Sequence, residues 1–182
     1  HGATGNSSFG YFGGGYNNLG SVTSSIFRID YSNDTATAAE KGPLGATRQQ
    51  IAATGNSFFG YFGGGSPGAP KSIVERIDYS NDTATASPKG PLSVARIQLG
   101  ATGNASFGYF GGGPSNTSTV DRVDYSNDTA TAAAKGPLSA GRNGSAGTGN
   151  SSFGYFGGGA PGPKSTVDRV DYSNDTATAA AK

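Results

Sequence analysis

The stretch Phe9-Gly10-Tyr11-Phe12-Gly13-Gly14-Gly15 returns as Phe59 to Gly65, Phe107 to Gly113 and Phe153 to Gly159. The rest of the chain keeps step with it. The Asn of Tyr-Ser-Asn-Asp-Thr falls at 33, 81, 127 and 174, at spacings of 48, 46 and 47 residues. Four units therefore fill the 182 residues. A period of this length marks a repeat architecture, in which each unit buries its faces against its neighbours.

The second unit shows how each one reads. Ile51-Ala52-Ala53-Thr54 is a strand of small residues, and Gly55-Asn56 is a turn pair that accepts positive φ. Ser57 to Phe62 is an aromatic strand ended by Gly63-Gly64-Gly65. Ile73 to Tyr79 alternates as a third strand. Ser80-Asn81-Asp82 turns the chain into a fourth strand, Thr83 to Ala86, before Lys89-Gly90-Pro91-Leu92. No segment carries a sustained helical period with caps. Four strands in about 47 residues is the size of one propeller blade. The pattern predicts an all-β propeller in one repeat domain, 1–182. Its blades are near 1–46, 47–94, 95–140 and 141–182. The small first strand suits the crowded axis.

Composition narrows the function. Lys and Arg total 13 against 12 Asp and Glu, so nothing calls for nucleic acid as a partner. There is no Cys, and no apolar run reaches the roughly 18 residues of a membrane span. There is no Met, even at position 1, which predicts a processed or partial chain.

The order of features resembles the kelch repeat: Arg, small strand, aromatic strand with a Gly doublet, variable loop, Val-x-Arg-Ile/Val-Asp-Tyr, polar turn, Pro-Leu. The doublets are Gly13-Gly14, Gly63-Gly64, Gly111-Gly112 and Gly157-Gly158, and the kelch Tyr matches Tyr31, Tyr79, Tyr125 and Tyr172. The resemblance implies a propeller of four-stranded kelch-like blades. The usual fourth-strand Trp is missing, which predicts thin outer packing. The near-identical units are also similar to repeat arrays of phage-like and marine microbial proteins, which implies an extracellular or virion setting.

One segment varies in length and composition, the loop between the second and third strands. Its contact candidates are Tyr16, Asn17, Asn18, Lys71, Asn116 and Lys164, which offer stacking and hydrogen-bonding groups to a glycan or protein ligand. Unconstrained drift is the competing explanation. No catalytic or metal site is expected and no cofactor. His1 is the only His, so no Ser–His or Cys–His pair assembles. Asp30-Tyr31-Ser32-Asn33-Asp34 opens like a calcium loop but has Thr35 in place of Gly. Arg28, Arg76, Arg122 and Arg169 are expected to pair with Asp30, Asp78, Asp124 and Asp171 on their own strands.

These features favour a non-catalytic binding or structural module over an enzyme of the galactose-oxidase or sialidase type. A pure self-assembling scaffold is the alternative. Four whole blades leave two apolar faces open, so two chains are expected to pair as half-rings into an eight-bladed ring; the alternatives are four repeats of a longer array and a chain that closes alone as a four-bladed ring.

Overall fold

The computed structural model describes residues 1–162 and 165–182. They form sixteen strands in four antiparallel sheets of four, each in sequence order from inside to outside. The first blade contains β1 (Gly2–Gly5), β2 (Phe9–Gly13), β3 (Ile26–Asp30) and β4 (Ala39–Lys41). The second contains β5 (Ala52–Gly55), β6 (Phe59–Gly63), β7 (Val74–Asp78) and β8 (Ser87–Lys89). The third contains β9 (Gly100–Gly103), β10 (Phe107–Gly111), β11 (Val120–Asp124) and β12 (Ala133–Lys135). The fourth contains β13 (Ala146–Gly149), β14 (Phe153–Gly157), β15 (Val167–Asp171) and β16 (Ala180–Ala181). The chain is an all-β, four-bladed propeller.

The innermost strands pack side by side: β1 on β5, β5 on β9, β9 on β13. Residues as small as Ala, Thr and Gly allow that approach. Gly5, Asn6, Asn56, Asn104 and Asn150 line a shared cleft at this inner end. Among the described residues, β13 and β1 do not pack together in the same way.

Apolar clusters fill the spaces between blades. One joins Tyr11, Ile26, Leu44, Ile51, Phe62, Ile77, Tyr79 and Ala86 across the first two blades. The other two joints repeat it. Phe62, Phe110 and Phe156 are each 0% exposed. Each lies on a glycine of the preceding blade. A Cβ on Gly63 would stand 2.6 Å from the Phe110 ring, so only glycine leaves that space. The next residue, Gly64, turns the strand end with φ +69°, a conformation that disfavours a side chain.

The first and third strands differ from the sequence pattern by a residue at each end, and the second and fourth differ for a local reason. The second strand starts at Phe59, because Asn56 Oδ1 accepts the N–H groups of Phe58 and Phe59 and holds Ser57-Phe58 in the turn. The fourth strand is Ser87–Lys89 and not Thr83 to Ala86. A 3-10 turn at Tyr79–Asn81 follows Asp78, whose carboxylate accepts the Ser80 N–H. Ala84 N–H then donates to Asn81 C=O, so Thr83-Ala84 belong to a second turn. Ala86 is drawn into the core, where its N–H donates to Pro43 C=O of the preceding connection. The fourth strands are short and largely exposed, as the missing Trp suggested.

Candidate functional site: blade junctions and the loop rim

The most repeated chemistry lies between blades. Tyr11 and Arg28 are cross-strand neighbours on β2 and β3, so both reach toward the second blade. The turn after β7 presents Asp82 to them. Its Oδ2 accepts from Tyr11 Oη at 2.9 Å and from Arg28 at 2.8 Å, while Lys41 Nζ stands 3.4 Å from Oδ1. Asp128 receives Tyr61, Arg76 and Lys89 in the same way. Asp175 receives Tyr109, Arg122 and Lys135.

Aromatic groups fix the same joints. Tyr11 stacks on Tyr79 with centroids 4.8 Å apart, and the pairs Tyr61–Tyr125 and Tyr109–Tyr172 repeat the contact. Thr4 hydrogen-bonds the Tyr79 hydroxyl at 3.0 Å, as Thr102 does that of Tyr172 at 2.9 Å. Each Arg also lies over a Phe of its own blade: Arg28 is 4.3 Å from the Phe9 centroid and Arg122 is 4.2 Å from that of Phe107.

This corrects the ion pairing expected from the sequence. Arg28, Arg76 and Arg122 do not pair with Asp30, Asp78 and Asp124; they reach the second Asp of the next unit's turn. The nearer Asp is engaged locally. Asp30 Oδ1 accepts from both the hydroxyl and the N–H of Ser32, and the equivalent Asp of every unit binds its own Ser. Those bonds hold its carboxyl below the usual range, which suits a turn clasp.

Burial, reinforced by Asp82, pushes the Tyr11 hydroxyl from 10.0 up to about 12, and burial raises Tyr61, Tyr79 and Tyr109 as well. A tyrosine whose folded pKa exceeds its unfolded value stabilises the fold fully below the unfolded pKa. That contribution is lost as pH rises through the folded one. Stability is therefore expected to fall between pH 10.0 and about 12. In an alkaline titration the ionisation of these buried tyrosines, read by tyrosinate absorbance, should coincide with the loss of the β signal in circular dichroism. Ionisation of all the tyrosines near pH 10.0 with the β signal intact would contradict the linkage.

A second arginine set is fully enclosed. Arg48, Arg96 and Arg142 are at most 2% exposed. Each enters its blade from the preceding connection, donates to the carbonyls that end the second strand and start the third, and meets an acid on the third strand. Arg96 donates to Gly112 and Thr119 C=O and pairs with Asp121; Arg142 pairs with Asp168 at 2.7 Å and Arg48 with Glu75. The sequence carries a signal for this. The units with this Arg carry Glu75, Asp121 or Asp168 at one register position, and the first unit carries Phe27 there.

The variable loops share a rim with the blade connections. Lys71 bridges Arg96 through the backbone, and Asn143 donates to Asn116 Oδ1 at 2.9 Å. Tyr16, Asn17 and Asn18 come together in a cleft of about 480 Å³ with His1, Phe12, Thr23, Ser25 and Phe27. Asn17 Oδ1 is already used, accepting from Leu19 and Ser21 N–H. Lys71 and Asn116 belong to other blades and do not line this cleft. Lys164 lies outside the described residues. On the opposite rim, three equivalent shallow grooves follow the joints, each with an Asn, a Tyr and three Ser or their replacements.

No family model and no curated protein matches the sequence. The propeller assignment stands on strand order, register and blade packing.

Proposed function

We propose that this chain is a non-catalytic, kelch-like structural module that pairs as two half-rings into an eight-bladed ring. One observation carries the reading. The first blade keeps an outward sheet face bearing Phe12, Phe27 and Tyr31, exposed by 43%, 42% and 53%, whereas the Phe at the Phe12 position is 0% exposed in every later blade. At the other end β13 is exposed along its whole length, although β5 and β9 are largely covered. Apolar faces of this kind favour association. The non-catalytic part of the reading rests on the residue inventory: one His, no Cys, and arginines and acids repeated in structural roles. The variable-loop rim is where a glycan or protein ligand would be held; the cleft of Tyr16 and Asn18 shares Phe12 and Phe27 with the paired face, so in the ring it would lie at the joint between the two copies.

Light scattering on a sizing column tests the pairing. The expected mass is twice 18.1 kDa. A single 18.1 kDa species at all concentrations would overturn it.

A further inference from the structure

We propose that a fourth junction forms between two copies of this chain, with Asp34 of one copy receiving Tyr155, Arg169 and Lys182 of the other. This rests on the pairing reading above and names the chemistry that orients the pair.

Every internal junction has two unlike sides. The leading blade supplies Tyr, Arg and Lys donors, a Thr and a glycine socket. The following blade supplies Asp, a Tyr ring and a Phe knob. Blade four has the complete leading side. Thr148 and Lys182 are exposed, Tyr155 and Arg169 are half-buried, and the space a Cβ would take at Gly157 meets only Val167 of its own blade. Blade one has the complete following side in Phe12, Tyr31 and Asp34, all exposed. Among the described residues, Asp34 has no ion-pair partner, whereas Asp82, Asp128 and Asp175 each have two.

The unmatched donor is already posed. The Arg169 guanidinium lies 4.5 Å from the Phe153 centroid, close to the 4.2 Å of Arg122 over Phe107. Arg122 in that pose reaches Asp175 at 2.7 Å. The rotamer entropy of forming the fourth pair is therefore largely spent before the copies meet. By the same template, Tyr155 stacks on the second copy's Tyr31, Thr148 meets that hydroxyl, and Phe12 enters at Gly157. Because the sides differ, two copies meet donor end to acceptor end at both joints. The charges enforce this direction, since two Arg169–Lys182 ends repel.

A charge exchange tests the junction. Asp34→Arg and Arg169→Asp each mismatch both joints of a homodimer, so each variant is expected to run at half the wild-type mass. Mixed in equal amounts they form one exchanged joint and one native joint, and the full mass is expected to return. Circular dichroism checks that each variant keeps its fold. Should Arg169→Asp fail to fold, Asp34→Lys with Lys182→Glu makes the same exchange at the chain end. Wild type at twice 18.1 kDa with both variants unchanged in mass would overturn this junction and leave the pairing reading standing. Wild type at 18.1 kDa would overturn the pairing reading itself. Masses that climb past two copies, and collapse in each variant, would confirm the junction and reject the closed ring.

Discussion

Arg96→Met is expected to destabilise the protein by about 3–5 kcal/mol, the usual cost of leaving one member of a buried ion pair without its partner. Asp121 is 0% exposed, and apart from Arg96 its side chain is reached by Ser93. Removing the guanidinium also frees the carbonyls of Gly112 and Thr119 at the end of β10 and the approach to β11. Urea denaturation followed by circular dichroism measures the loss. The paired replacement Arg96→Met with Asp121→Leu is expected to recover most of it, since apolar groups of similar volume often replace a buried pair at little cost. The first blade already lives without the acid, with Phe27 in that register. A loss below about 1 kcal/mol for the single variant would mean that water reaches Asp121 and that the enclosure described above is wrong.

Phe110→Ala is expected to cost about 3–5 kcal/mol, in the range for a large buried aromatic truncated to alanine. Phe110 packs against Gly63 of the preceding blade, which has no side chain to fill the space, within a cluster that includes Tyr61, Val74, Leu92 and Leu99. In a solenoid-like array the stability comes from nearest-neighbour interfaces, so the cavity opens the joint between blades two and three and not one sheet. Phe12→Ala, at the equivalent position, serves as the internal comparison. With 43% of Phe12 exposed, its effect on a dissociated chain is expected to stay below about 1 kcal/mol. Its effect on mass in solution should be larger, because Phe12 is the knob of the proposed fourth junction. Similar stability losses for Phe110→Ala and Phe12→Ala in the monomer would contradict the burial difference between them.

The alternation of Val74 to Asp78, the Gly doublets and the 48-, 46- and 47-residue spacings were enough to read four blades of four strands. Strand ends were less legible. Asn56 and Asp78 compete with the ladder through their own side chains, which moved β6 and β8 along the chain. The candidate contacts do not gather in one place. Tyr16, Asn17 and Asn18 share one cleft because they are adjacent in one loop, whereas Asn116 is tied down by Asn143.

What the sequence determined by itself was the period, the blade count, the turn positions and the small residues that let inner strands meet. Local sterics and hydrogen bonding fix these within a unit. Only the tertiary structure decided which charges meet. Arg28 stands two residues from Asp30 yet pairs with Asp82, 54 positions on, because Asp30 is spent on Ser32 and the turn of the next blade delivers a carboxylate to the joint. Near-identical units make each such partner ambiguous in sequence, since every Asp-Tyr-Ser-Asn-Asp copy offers the same groups. Blade stacking removes the ambiguity, and among the described residues it leaves Asp34 in the first blade and Tyr155, Arg169 and Lys182 in the fourth without the partners that their equivalents have.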